Sequence, residues 1–482
     1  MCRISASSMV CISAIHPADD SATTTANTDQ CGSAADKTIS TISSRRQSIF
    51  ADSSTFASAK AILALEKYDA DIANILQSSQ DADASDVGEN GHDSSNSPSA
   101  IMSVDRDDLC RISLLGQGQF CNVHLMSGSL QQQHDTTTAS NTKRTLYAYK
   151  SIDPKRVRDA YEVKIAASDL AHEAKILSEL DHKNVIKLRG LSSESFSQSY
   201  ADGMVLGDGK SRWVLSCART SNDNSNDSDS DSDSDNDNNR LEGYFLVIDT
   251  LTGTLIHRLN DWRNADKGNS WWTNIHRRVS SISRNTSCKQ EMMYARTEAI
   301  IFGIAEGMRY LHSKDIVLRD LKPGNVGFDA DGSIRLFDFG MARKVSDCDP
   351  TELCGSPRYM APEAMNGGGY TLKVDVFSFG VLLFELCSLE VPFAKNYKWS
   401  NNKRSNSNSS SNSNNNSKSQ KEALVEDFYK SVVENELRPS DNLKPIIPCP
   451  KIRALIEECW STESNERPSF EEIIPILETI FQ

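Results

Sequence analysis

Apolar residues recur along this chain with a period that changes from one half to the other. Arg111 to Val123 and Thr145 to Ile152 are short β-rich runs, Ala160 to Glu179 has helical spacing, and Val185 to Leu191 and Tyr244 to Thr250 again read as strands. Beyond them the spacing predicts helices at Glu298 to His312, Val374 to Cys387, Lys421 to Glu434, Lys451 to Trp460 and Phe470 to Phe481. A small sheet-rich lobe therefore precedes a larger helical one, an α+β arrangement in two lobes. Residues 1–104 are mostly small and polar and read as a disordered tail. Within it, Ile62, Leu63, Leu65, Ile72, Ile75 and Leu76 predict one amphipathic helix over 56–76, either packed on the neighbouring domain or acting as a docking or autoinhibitory segment.

Three stretches interrupt the pattern and read as insertions, at about 193–240, 262–295 and 396–419. The first alternates Ser with Asp and the third is almost pure Ser and Asn, compositions that bury little. Without them, the segment from residue 112 to the end keeps about 265 residues, enough for one bilobal domain from about 109 to 482.

Composition agrees with partial disorder, since only 38% of the 482 residues are hydrophobic. The net charge of −14, half of it from Asp223 to Asp237, argues against nucleic-acid or anionic-membrane partners. The longest strongly apolar run, Val376 to Leu386, is far too short to span a bilayer, and the first fifteen residues lack the order of a secretory signal. Twelve cysteines without a CxxC pair or a Cys/His ladder suit reduced thiols, so the expected location is cytoplasmic or nuclear. In the tail, Arg45, Arg46 and Ser48 form a short basophilic phosphorylation pattern.

Residues capable of phosphate chemistry appear in order along the chain. Leu115-Gly116-Gln117-Gly118-Gln119-Phe120-Cys121-Asn122-Val123 places glycines in a hairpin, where backbone without Cβ approaches a triphosphate closely. The strand that follows it counts against a dinucleotide-binding turn, which leads into a helix. Lys150, after Ala148 on the next strand, and Glu173 on the following helix form a cation with a carboxylate to orient it. Then come Leu318-Arg319-Asp320-Leu321-Lys322-Pro323-Gly324-Asn325, Asp338-Phe339-Gly340 and Ala361-Pro362-Glu363.

In the order and spacing of these motifs, residues 112 to 482 resemble a eukaryotic protein kinase. The resemblance implies a bilobal fold and transfer of the γ-phosphoryl group of ATP, with Mg2+, to protein substrates. It implies that Asp320 accepts the substrate hydroxyl proton, that Lys322 neutralises charge on the transferring group, and that Asn325 and Asp338 hold magnesium. Lys150, held by Glu173, would orient the α- and β-phosphates. Leu115, Gly116, Gly118, Val123 and Ala148 would enclose the nucleotide, with Ile248 as gatekeeper and Asp249 to Leu251 as the adenine-binding hinge. Asp375 resembles the carboxylate that ties down the catalytic loop, and Glu363 with Arg467 resembles a buried ion pair locking the activation segment.

Lys322-Pro323-Gly324 and Ser356 match serine/threonine rather than tyrosine kinases, and the DVFSFG, ECW and RPSF runs look most like the tyrosine-kinase-like group. Two positions depart from the pattern. Leu318 replaces the usual histidine, and Cys121 replaces the third glycine, leaving a thiol over the nucleotide, most simply a buried inert one. Glu352 occupies the position four residues before Ser356, where relatives carry a phosphorylated threonine, with Thr351 beside it. The reading is that Glu352 partly orders the activation segment through Arg319 and that phosphorylation of Thr351 adds to it. A pseudokinase scaffold and a dual-specificity kinase share the fold and remain alternatives. The oligomeric state is not written in these residues.

Overall fold

The computed structural model describes residues 67–79, 101–128, 130, 145–153, 156–157, 160–196, 243–266, 286–350, 352–397 and 414–482. The first lobe is built on a six-stranded sheet. Its strands are β1 (Met102–Val104), β2 (Leu109–Gln117), β3 (Cys121–Gly128), β4 (Thr145–Ile152), β5 (Leu188–Ser192) and β6 (Phe245–Asp249), in the spatial order β1-β5-β6-β4-β3-β2. All pairs are antiparallel except β1 with β5.

Because side chains alternate along a strand, one sheet face packs on helix α2 (Ala160–Ser178). The other face gathers Val104, Leu109, Met126, Tyr149, Phe245 and Val247 into a separate apolar layer, in which Tyr149 and Phe245 stack at 4.4 Å. Val104 is fully part of that layer, so the lobe begins at Met102 and not at 109. The sequence hid this strand because three residues show no period, and only its pairing with β5 defines it.

Helix α1 covers residues 67–79 and packs on the domain; the expected helix over 56–76 thus runs beyond Leu76, and 56–66 lie outside the described residues. The Ser78 hydroxyl donates to the Ile75 carbonyl at 3.0 Å, supplying a partner at the helix end. The first expected insertion starts too early. Ser193 donates its N–H to the Val104 carbonyl, Arg106 pairs with Glu194 at 2.9 Å, and the Phe196 ring is buried against Tyr244 at 3.8 Å.

After a short strand β7 (Gly253–Thr254), helix α3 (Leu255–Asp266) leads into the second lobe. The central helices there are α4 (Thr286–Ser313) and α6 (Lys373–Ser388), with the short α5 (Pro362–Met365) before α6. Helices α7 (Asn414–Glu434), α8 (Pro450–Cys459) and α9 (Phe470–Phe481) complete the lobe. The insertion expected at 262–295 is consequently shorter, since α3 runs to Asp266 and α4 starts at Thr286. The one expected at 396–419 shrinks likewise, because Tyr397 packs on Phe428 at 5.1 Å and α7 starts at Asn414.

Helix α6 is buried on almost every side, which is why its sequence reads as a continuous apolar run and not as a stripe. Helix α9 starts with a reciprocal capping box between Ser469 and Glu472. Four short strands, β8 (Ile316–Val317), β9 (Val326–Phe328), β10 (Ile334–Leu336) and β11 (Arg343–Lys344), lie between α4 and α5, facing the first lobe. Val185 bridges to Leu336 and the Ile186 N–H donates to the Leu336 carbonyl, so the lobes share backbone hydrogen bonds beside the cleft.

Candidate active site

Register in the first sheet decides which side chains enter the cleft. Val123 lies opposite Lys150, Leu125 opposite Ala148, and Ala148 opposite Ile248, so β3, β4 and β6 contribute to one wall. The hairpin carrying Leu115, Gly116 and Gly118 overhangs that wall. Its tip is fixed by hydrogen bonds from the Gly118 N–H to the Cys121 carbonyl and from Arg156 to the Gly118 carbonyl at 3.0 Å. Leu115 stays exposed, as a residue awaiting cover by another molecule would.

The Lys150 ammonium donates to Glu173 on α2 at 2.5 Å and to Asp338 at 2.9 Å. Burial alone would lower the pKa of this group, but Asp338 and Glu173 outweigh it and hold it above the ordinary lysine value. One cation thus joins strand β4, helix α2 and the loop after β10.

Below it, Lys322 donates to Asp320 Oδ2 at 2.6 Å and to the Ser356 hydroxyl at 2.9 Å. The Asn325 amide donates to the Asp320 backbone carbonyl and to Oδ2, each at 3.0 Å. Asp320 Oδ1 and Asn325 Oδ1 are buried without a hydrogen-bond partner among the described residues, an expensive state for two acceptors unless another molecule meets them. The site therefore offers paired carboxylates, an amide oxygen and two ammonium groups around one space.

This loop is held under strain. Arg319 and Asp338 have φ of 65° and 67°, a region costly for residues with a Cβ. The compensation comes from Asp375 on α6, whose carboxylate accepts the N–H of Leu318 at 2.8 Å and of Arg319 at 2.9 Å and lies 3.1 Å from His312 Nε2. Leu318 is fully buried and fills the core where the resemblance expects a histidine. His312, on α4, is a neighbour that spacing alone gave no reason to single out.

The segment after Asp338 is fastened at several points. Arg319 donates to the Met341 carbonyl at 2.7 Å and to Glu352 at 2.8 Å, and its guanidinium lies over the Tyr370 ring at 5.0 Å. Gly355, with φ of 114°, allows close approach here, since a Cβ there would stand 2.7 Å from the Arg319 carbonyl. Arg467 meets Glu363 through two bonds of 2.6 and 2.9 Å. Thr351 lies outside the described residues.

The Cys121 thiol is buried beside Lys150, Asp169, Glu173 and Met341, and burial pushes its pKa up to about 12, in keeping with the inert thiol expected from the sequence. Of the residues expected at the hinge, the Asp249 N–H is committed to the Lys187 carbonyl and its carboxylate to Arg189 at 2.6 Å. Leu251 packs against Gly327, where an added Cβ would stand 2.5 Å from Leu251 Cδ1.

Comparison with known proteins agrees with this geometry. The family model of the protein kinase domain matches residues 200–476. A probable serine/threonine-protein kinase of Dictyostelium discoideum is 34% identical over 187 residues, which are 39% of this chain and 11% of that protein. The probable serine/threonine-protein kinase drkD of the same organism is 33% identical over 180 residues, 37% of this chain and 12% of its own. The human cAMP-dependent protein kinase catalytic subunit PRKX is 50% identical over 86 residues, 18% of this chain and 24% of its own. The chain thus spans a small fraction of the length of these relatives. The matched model covers more than half of the chain, and strands β1 to β5 of the sheet lobe precede it; the chain belongs to the protein kinase family.

Proposed function

We propose that this chain is a serine/threonine protein kinase that moves the γ-phosphoryl group of ATP to protein hydroxyls. The observation that carries this reading is Lys150 bridging Glu173 and Asp338 while Lys322 and Asn325 hold Asp320. Phosphoryl transfer asks mainly for positioning and for fixed charge around a dissociating phosphate, and these groups supply both. Lys150 orients the α- and β-phosphates under the hairpin of Leu115, Gly116, Gly118 and Val123. Adenine lies between Ala148 and the second lobe, beside Ile248, and bonds to the Asp249 carbonyl and the Leu251 backbone.

Asp320 accepts the proton of the acceptor hydroxyl through Oδ1. Lys322 keeps the second oxygen occupied and spreads positive charge toward the transferred group. Its bond to Ser356 ties the base to the segment that receives the substrate, which supports Ser and Thr acceptors. Asn325 Oδ1 and the Asp338 carboxylate are hard oxygen donors, and the buried unpartnered Asn325 Oδ1 fits a magnesium ligand. When bound, Mg2+ neutralises charge on the phosphates.

Within this reading, the DVFSFG, ECW and RPSF runs support a member of the tyrosine-kinase-like group. The buried thiols Cys121, Cys354, Cys387, Cys449 and Cys459 support a reducing location, cytoplasmic or nuclear. Among the described residues no helix is long and apolar enough to cross a membrane. Labelled-phosphate transfer to a mixed peptide library by wild type and Asp338→Ala tests the whole reading. Label on Ser and Thr with wild type, lost in the variant, is the expected result; no label with wild type would reject the activity, and label on Tyr would reject the acceptor class.

A further inference from the structure

Helix α1 is a motif of the tail that phosphoryl transfer leaves unexplained, and it packs beside the helix that carries Glu173. Tyr68, Ile72, Ile75 and Leu76 share one face, and the two isoleucines are buried in the core that includes α2. The Tyr68 ring meets His172, the residue before Glu173, edge-on at 6.4 Å, and meets Phe196 at 6.2 Å. Two hydrogen bonds tie its described part: Asp69 accepts the Phe196 N–H, and Ser79 accepts the Ile101 N–H at 2.7 Å.

A helix of this length is marginal by itself in water, so its order derives from docking on its neighbours. The docked state observed here coincides with an intact Lys150–Glu173 pair at 2.5 Å, which opposes an autoinhibitory role. We propose that α1 is a built-in positioning element, in which Tyr68, Ile72 and Ile75 pack beside α2, with Asp69 anchoring α1 through the Phe196 backbone, so that Glu173 reaches Lys150. This rests on the kinase reading above.

The test uses the full-length chain with Ile72→Asp/Ile75→Asp, with Asp69→Ala as a milder variant, and with Ile72→Leu/Ile75→Leu as the conservative control. Two readouts are taken: kcat and peptide KM, and amide hydrogen exchange in α2 and α6. The double Asp variant is expected to lower kcat about five- to tenfold with peptide KM within about twofold, and to speed exchange in α2 about tenfold while α6 stays protected. Asp69→Ala should move both in the same direction by less, and the Leu variant should restore both.

Unchanged kcat and unchanged α2 exchange in the Asp variants would overturn the proposal, as would loss of protection in α6 together with α2 in both Asp variants. Exchange needs no turnover. A wild-type protein without activity whose α2 still loosens in the variant would therefore count against the kinase reading and in favour of the positioning of α2.

Discussion

Replacing Glu352 isolates the charge that fastens the activation segment. The Arg319 guanidinium is 1% exposed and the Glu352 side chain 21% exposed, with 2.8 Å between them. Removing one partner of a fully buried ion pair costs about 3–5 kcal/mol, because a charge is stranded. Here Glu352 is partly solvated, and Arg319 keeps the Met341 carbonyl and the Tyr370 ring, so Glu352→Ala should cost about 2–3 kcal/mol of segment order. At 1.4 kcal/mol per factor of ten, activity falls about thirty- to 150-fold when the ordered segment limits the rate. Glu352→Gln keeps a neutral hydrogen bond and loses only its charge assistance, about 1 kcal/mol, and should fall about fivefold. Steady-state transfer to a peptide by phosphatase-treated protein separates this anchor from a phosphorylated Thr351. The treated wild type should stay active and Glu352→Ala should lose more than Thr351→Ala. Activity of Glu352→Ala within about twofold of wild type, with complete loss in treated wild type, would refute the argument.

Glu363→Ala strands the fully buried Arg467 guanidinium and should lower stability by about 3 kcal/mol, seen by calorimetry as a fall in Tm of about 5–10 °C. His124 is buried with neither ring nitrogen partnered among the described residues, and burial lowers its pKa from 6.5 to about 4. The folded state keeps it neutral, so the stability it allows is complete above about pH 6.5 and is lost as pH falls toward 4; His124→Leu should therefore lose less Tm than wild type between pH 7 and 5. Deleting 220–238 and 400–412, runs with almost no apolar residue, should leave Tm within a few degrees, since loop-closure entropy varies slowly with length. A larger fall would show that one of these runs packs.

The motifs around Asp320 and Asp338 were legible because each residue has a chemical type and a position that the reaction fixes. Helix α9 and strand β4 were legible to the residue, the first from helical spacing of its apolar residues and the second from a β-rich run. What escaped depends on contacts distant in sequence. Strand β1 exists only as a partner of β5, and β7 to β11 are two or three residues long, too short to show a period. The first part of α4 and the start of α7 were taken for insertions because polar residues dominate there, although helices tolerate them. Spacing puts Cys121 in the hairpin, while its neighbours Lys150, Asp169 and Glu173 come from strand β4 and helix α2, which the fold brings to it. Glu352 was legible as a position four residues before Ser356 and as a partner of Arg319, and the structure places the two 2.8 Å apart.

The central claim is that Asp320 acts as the base in a site that already holds its nucleotide by other groups. The direct measurement is ATP affinity and single-turnover phosphoryl transfer in Asp320→Asn beside wild type. The substitution keeps the size of the side chain and an oxygen for Lys322, and removes the basic carboxylate. ATP affinity within about threefold of wild type, with transfer slowed at least about a hundredfold, is the predicted result. Transfer near the wild-type rate would contradict the account.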